Sequence, residues 1–120
     1  MINQQWAVNF ASDWISAFNS GDIDKVFALY DDNFSMTSPY IVQRMGVKSG
    51  TLVGKENVRP YWQKALSSEP PLEFKLLNVF CSVTSVSVFY ESIARTMVIE
   101  TFEFNPQGKV IAGCSSHIIG

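Results

Sequence analysis

The stretch Arg95-Thr96-Met97-Val98-Ile99-Glu100-Thr101-Phe102-Glu103-Phe104-Asn105-Pro106-Gln107-Gly108-Lys109-Val110 decides how this chain folds. Residues 95–104 and 109–119 are rich in Phe and β-branched side chains and read as two strands. Asn105-Pro106-Gln107-Gly108 between them places Pro and Gly where a type I turn accepts them. Successive side chains of a strand point to opposite faces, so Thr96, Val98, Glu100, Phe102 and Phe104 share one face. A single ionisable group, Glu100, thus stands in an apolar row. Burying a bare carboxylate is costly, so Glu100 is expected to be paired, protonated or facing a cavity. Two readings follow: Glu100 lines a pocket, or its face lies at a sheet edge or dimer contact with a Lys or Arg beside it.

Upstream, residues 72–83 are rich in Phe, Leu and Val. Residues 85–91 alternate, with Val86, Val88 and Tyr90 against Ser85, Ser87, Phe89 and Glu91. The second half is therefore a run of antiparallel strands. The first half has helical spacing. Trp6, Phe10, Trp14, Ala17 and Phe18 recur on one helix face, and Asn19-Ser20-Gly21 stops it. Asp22 caps a second helix with Ile23, Val26, Phe27 and Tyr30 along one side, ended by Asp31-Asp32-Asn33. Phe34, Met36 and Ser38 share a face of a short strand that Pro39 closes. Residues 40–53 read as a connection, with turns at Gly46, Ser49 and Gly50 and a short strand at Thr51-Leu52-Val53. A third helix carries Val58, Tyr61, Trp62, Ala65 and Leu66 on one face. Its start is expected near Asn57, which keeps Pro60 in the first turn, and Pro70-Pro71 ends it. Helices first and an antiparallel sheet second predict an α+β fold.

The 120 residues are 47% hydrophobic and 17% charged, with a formal net charge of −2. That composition predicts one folded domain over residues 1–120 and excludes a disordered or collagen-like chain. Without a basic cluster, no nucleic acid or membrane surface is an expected partner. Met1-Ile2-Asn3-Gln4-Gln5 has no basic segment ahead of an apolar one, so a cytoplasmic location is expected. Cys81 and Cys114 lie far apart and read as reduced thiols. One histidine, His117, and two scattered cysteines do not make a zinc site, so no metal is expected. No phosphate-binding Gly loop or GxSxG motif occurs, and no cofactor is expected.

The order helix–helix–strand–helix–four strands resembles the nuclear transport factor 2-like fold. Trp14-Ile15-Ser16-Ala17-Phe18-Asn19-Ser20-Gly21-Asp22-Ile23-Asp24 is similar to the first-helix segment of SnoaL-like and ketosteroid isomerase-like proteins. Ala28-Leu29-Tyr30-Asp31-Asp32 and Met36-Thr37-Ser38-Pro39 continue the likeness. So do Gly54-Lys55-Glu56-Asn57-Val58-Arg59 at the third helix and Ile99-Glu100-Thr101-Phe102-Glu103-Phe104-Asn105 with Gly108-Lys109-Val110 at the last hairpin. The resemblance spans about residues 10–117. It implies a cone: a strongly curved mixed or antiparallel sheet packed on three helices from the N-terminal half, enclosing a pocket. It also implies a homodimer formed through the open sheet face. In the isomerases an Asp before the first-strand Pro is the base, and a Tyr and a protonated Asp form the oxyanion site. Those positions hold Ser38, Trp14 and Glu100 here. A serine cannot take up a proton at neutral pH and an indole N–H never accepts, so steroid isomerisation by that mechanism is not expected.

The resemblance makes Glu100 and His117 the candidate catalytic pair. Trp14, Phe18, Tyr30, Ser38, Tyr61, Trp62, Val98, Phe102 and Ser115 are candidate ligand-binding residues. With a simple hairpin turn, Glu100 lies opposite Gly113, and Ser115 and His117 share its face; a one-residue bulge at Gly108 reverses that. From Gly113 to His117 is roughly 13 Å of strand, so no direct Glu100–His117 bond is expected. The alternative for His117 is a surface or core residue with a polar partner. The expected ligand is a small apolar or aromatic molecule. Two functions remain open: acid–base chemistry of an isomerase, cyclase or hydrolase, or non-catalytic small-molecule binding or protein association as a dimer.

Overall fold

The computed structural model describes residues 1–119. Helix α1 (Gln4–Asn19) is capped by Asn3, whose side chain accepts the Trp6 N–H at 2.8 Å. It buries Ala7, Phe10, Ala11, Trp14, Ala17 and Phe18. Gly21, at φ 74°, lets the chain turn sharply into α2 (Ile23–Phe27), which Asp22 caps. Strands β1 (Tyr30–Thr37) and β2 (Thr51–Val53) follow, separated by α3 (Pro39–Met45). Helix α4 (Lys55–Leu66) precedes β3 (Lys75–Cys81), β4 (Ser85–Glu91), β5 (Met97–Phe104) and β6 (Val110–His117). A 3-10 turn at Ile93–Arg95 joins β4 to β5.

The six strands of the described residues form one mixed sheet in the order β2-β1-β6-β5-β4-β3. All neighbours are antiparallel except β1 and β6, which run parallel. The fold is α+β, with the helices of the first half packed against this sheet. Among the described residues, no helix is long and apolar enough to cross a membrane.

Four local expectations change. The connection 40–53 contains most of a helix, α3, so among the described residues four α-helices rather than three accompany the sheet. Ser38 caps α3, Pro39 takes its first position, and Gly46 ends it in the left-handed conformation. Second, α2 stops at Phe27, and Tyr30 opens β1 rather than lying on the helix. Asp31-Asp32-Asn33 falls within β1, where the register against β6 shifts between Tyr30 and Ser35. There, the Asp31 carboxylate accepts the Asn33 N–H at 3.1 Å and Asp32 pairs with Lys55 at 3.0 Å. Third, α4 begins at Lys55, two residues early, because Gly54 turns directly from β2 into the helix. Pro60 therefore sits inside α4 rather than in its first turn.

Fourth, the last hairpin shifts register twice. Asn105 closes its loop on Lys109: its N–H donates to Lys109 O at 2.9 Å, and its side chain accepts the Lys109 N–H at 2.9 Å. Gly108 at φ 78° completes this three-residue loop. Phe104 consequently pairs with Val110 instead of Lys109. A bulge then falls between that pair and Glu103↔Ala112. Each shift alone would reverse the faces, but together they restore them. Glu100 now stands opposite Ser115, not Gly113.

Gly50 holds the turn before β2 at φ 69°, where an added Cβ would lie 3.2 Å from Val42 Cγ2 and 3.3 Å from Ser38 O. Gly46, at φ 68°, has open space around it. Gly50→Ala should therefore cost roughly 2–3 kcal/mol and Gly46→Ala about 1 kcal/mol. Urea unfolding of both variants checks this; equal losses would mean that the Val42 and Ser38 contacts contribute nothing.

Candidate functional site

A cavity of about 620 Å³ lies between the helices and the concave side of the sheet. Trp14 and Phe18 from α1, with Tyr61 and Trp62 from α4, supply aromatic walls. Val98 and Glu100 from β5, with Ser115 and His117 from β6, supply the sheet side. These eight of the sequence candidates come together. Tyr30, Ser38 and Phe102 do not line the cavity, and each has a structural partner instead. Tyr30 is buried and its hydroxyl accepts the Trp14 indole N–H at 2.9 Å. Phe102 packs edge-on against Trp14 and Phe10, with ring centroids 5.1 and 4.9 Å away. Ser38 is buried, and its hydroxyl accepts the Tyr40 N–H at 3.2 Å as the cap of α3. Ser38 thus serves as a helix cap.

Glu100 is 3% exposed. The alternative of a Lys or Arg beside it does not hold, because the ion pairs of the described residues are Lys55–Asp32 and Arg59–Asp24. Burial alone pushes its carboxyl up to about 8. Its cross-strand neighbours on β4 and β6 are Val88 and Ser115. Tyr30 and Tyr90 feel its charge: burial first, and then an ionised Glu100, hold both phenols well above their ordinary range.

His117 pairs with Val98 across the sheet, two residues along β6 from Ser115. Its Nε2 and the Ser115 hydroxyl are 2.5 Å apart. Burial and then the Arg44 charge lower its pKa, so the imidazole is neutral at pH 7. Tyr40 meets the imidazole edge-on at 4.5 Å. Glu100, Ser115 and His117 therefore follow one another on a single sheet face, with Ser115 next to both.

Sequence reasoning missed Tyr90, Phe74, Tyr40 and Arg44, which also line the cavity. Tyr90 was legible, since it alternates with Val86 and Val88 in the sequence; the structure pairs it with Val98. Tyr40 and Arg44 ride on α3, whose signal was the Ser38-Pro39 start and the Gly46 stop.

A profile of the SnoaL-like domain family matches residues 11–117. The chain belongs to the SnoaL-like family. It is similar to a SnoaL-like protein of unknown function from Burkholderia thailandensis, with 36% identity, 98% of each chain covered and a TM-score of 0.94. An NTF2-like protein of unknown function from Cytophaga hutchinsonii shares 13% identity at a TM-score of 0.72, over 98% of this chain and 92% of that one. The epoxide hydrolase/cyclase-like enzyme SalBIII, described in pyran ring formation in the polyether salinomycin, shares 17% identity at a TM-score of 0.75. That match covers 99% of this chain and 95% of SalBIII. These two distant likenesses show the fold. No curated protein matches the sequence.

The buried carboxyl makes stability fall with pH. Native Glu100 keeps its proton to about pH 8, whereas in the unfolded chain it loses it near 4.5. Between those values the native state binds more protons, so stability is full below about pH 4.5, declines as pH rises to about 8 and levels off above that. The full loss is on the order of 3–5 kcal/mol. Glu100→Gln should remove that slope. Urea unfolding of both proteins at pH 5 and pH 8.5 measures the difference, and parallel pH profiles would show that Glu100 titrates normally.

Proposed function

We propose that the cavity takes up a small apolar or aromatic molecule and moves a proton within it, as an isomerase, cyclase or hydrolase does. The observation that carries this reading is a carboxyl buried at an aromatic cavity, with no ion-pair partner among the described residues, so that desolvation pushes its pKa up to about 8. General acid–base catalysis is most effective when the pKa lies near the working pH. At pH 7 Glu100 is a neutral acid that can protonate or hydrogen-bond a ligand carbonyl. The neutral His117 is a base, and the Ser115 hydroxyl stands between the two. Desolvation by Trp14, Phe18 and Trp62 strengthens every such contact. The Trp14 indole N–H is already used on Tyr30, so it adds no donor for an oxyanion. That observation favours the second reading, a binding module that holds its ligand without turnover.

α-Tetralone, a flat aromatic ketone, separates the two readings. Enolisation exchanges its α-protons for deuterium in D2O, which proton NMR follows directly. The wild type should accelerate exchange above buffer, and Glu100→Gln should slow it by roughly 10²–10⁴-fold. Saturation-transfer contacts without exchange would assign a binding module. An unchanged rate in Glu100→Gln would remove Glu100 from the chemistry.

We also propose that the outer face of the sheet pairs with a second copy of the chain. Phe80 and Ile99, 57% and 45% exposed, stand there with the half-buried Phe89 and the exposed Cys114. Exposed apolar side chains grouped on one sheet face are the usual ground for association. Sedimentation at micromolar concentration should give a dimer, and Ile99→Lys, placing a charge on each side of the contact, should give a monomer. A monomeric wild type would refute the pairing.

A further inference from the structure

The cavity is unevenly charged from its interior to its rim. Among the described residues its only carboxyl, Glu100, is buried. The two fixed cations that line it, Arg44 and Lys64, are both exposed and so stand at the opening. Neither has a carboxylate within 4 Å among the described residues, since both ion pairs lie elsewhere. Two cations at one opening run against a chain whose formal net charge is −2.

Arg44 is not a loose surface side chain. Its guanidinium carbon lies 4.7 Å from the centroid of the Tyr40 ring, a cation–π contact that fixes the planar group. Tyr40 in turn packs edge-on against His117. The Arg44 charge reaches into the site, where it opposes protonation of His117 and favours ionisation of Tyr61. A planar guanidinium held in this way offers paired N–H donors that match a carboxylate. The walls behind it are aromatic.

We infer that the ligand is amphiphilic: a flat apolar body among Trp14, Phe18 and Trp62, and a carboxylate at the rim held by Arg44, with Lys64 adding positive potential. This rests on the small-molecule reading above and narrows its ligand to aromatic or alicyclic carboxylic acids. The buried acid does not repel such an anion at neutral pH, because it is uncharged there. The apolar body and the charged end are recognised by separate parts of the cavity, so their contributions to affinity separate as well.

The test compares 4-(naphthalen-2-yl)-4-oxobutanoate with its methyl ester, which has the same ring and ketone but no charge. Isothermal titration calorimetry at pH 6.5 gives both affinities for the wild type, Arg44→Gln and Arg44→Lys. The acid should bind about tenfold or more tighter than the ester, as one charge-assisted contact provides. Arg44→Gln should remove that advantage and leave the ester unchanged, while Arg44→Lys retains part of it. An ester that binds as tightly as the acid would overturn the inference and leave the small-molecule reading intact. So would an Arg44→Gln variant that weakens both probes alike, because the residue would then act through Tyr40 packing. Binding of neither probe would overturn the small-molecule reading itself, and this inference with it.

Discussion

Trp14 joins the helical half of the chain to the sheet. Its ring meets Phe18 on its own helix, Tyr90 on β4 and Phe102 on β5, with centroids 4.9, 5.2 and 5.1 Å away. Its N–H is bonded to Tyr30 at the start of β1. One buried side chain thus holds α1 against three strands that are distant in sequence. Aromatic pairs of this kind add roughly 0.5–1.5 kcal/mol each beyond the area they bury. The hydrogen bond also sets the orientation of the indole, because an unpaired buried N–H would cost about as much as such a bond contributes. Trp62 plays the matching part for α4, facing Phe18, Tyr30 and Phe34.

The same packing creates the site. Large flat rings on α1 and α4 wall the cavity on its helical side, and β5 and β6 close it on the other. Glu100 projects toward it from the middle of β5, where its row on the strand is otherwise Val98, Phe102 and Phe104. Desolvation is the main electrostatic fact of the cavity. It keeps the carboxyl protonated, pushes the phenols of Tyr30 and Tyr90 upward and pulls His117 downward. Each shift favours the neutral form, so the interior is uncharged at pH 7 and fixed charge remains at the rim.

Membership of the SnoaL-like family defines the scaffold and leaves the chemistry to particular side chains. Ser38 is occupied in capping α3, and the Trp14 indole N–H is already bonded within the core. Glu100 remains, with Ser115 and His117 beside it on the sheet. A fold shared at 17% identity with an epoxide hydrolase/cyclase-like enzyme is compatible with many reactions. The residues that face the cavity decide among them.

The sequence by itself determined the α+β class, the alternation that places Glu100 among apolar neighbours, and the aromatic faces of α1 and α4. These depend on short-range periodicity, which a strand or helix expresses locally. It did not determine α3, because a seven-residue helix with one buried residue has almost no periodic signal and is held by its cap and by packing. Nor did it determine where β1 begins, since Tyr30 continues the helical spacing of α2 until pairing with Val110 draws it into the sheet. The partner of Glu100 was beyond it too. Two one-residue shifts, one at the Gly108 loop and one after Phe104↔Val110, cancel in face but add in register. Each is a choice between nearly equivalent local pairings. The tertiary structure made that choice by fitting β6 between β5 and β1, and it thereby brought Ser115 beside Glu100 and His117 within reach of both Ser115 and Tyr40.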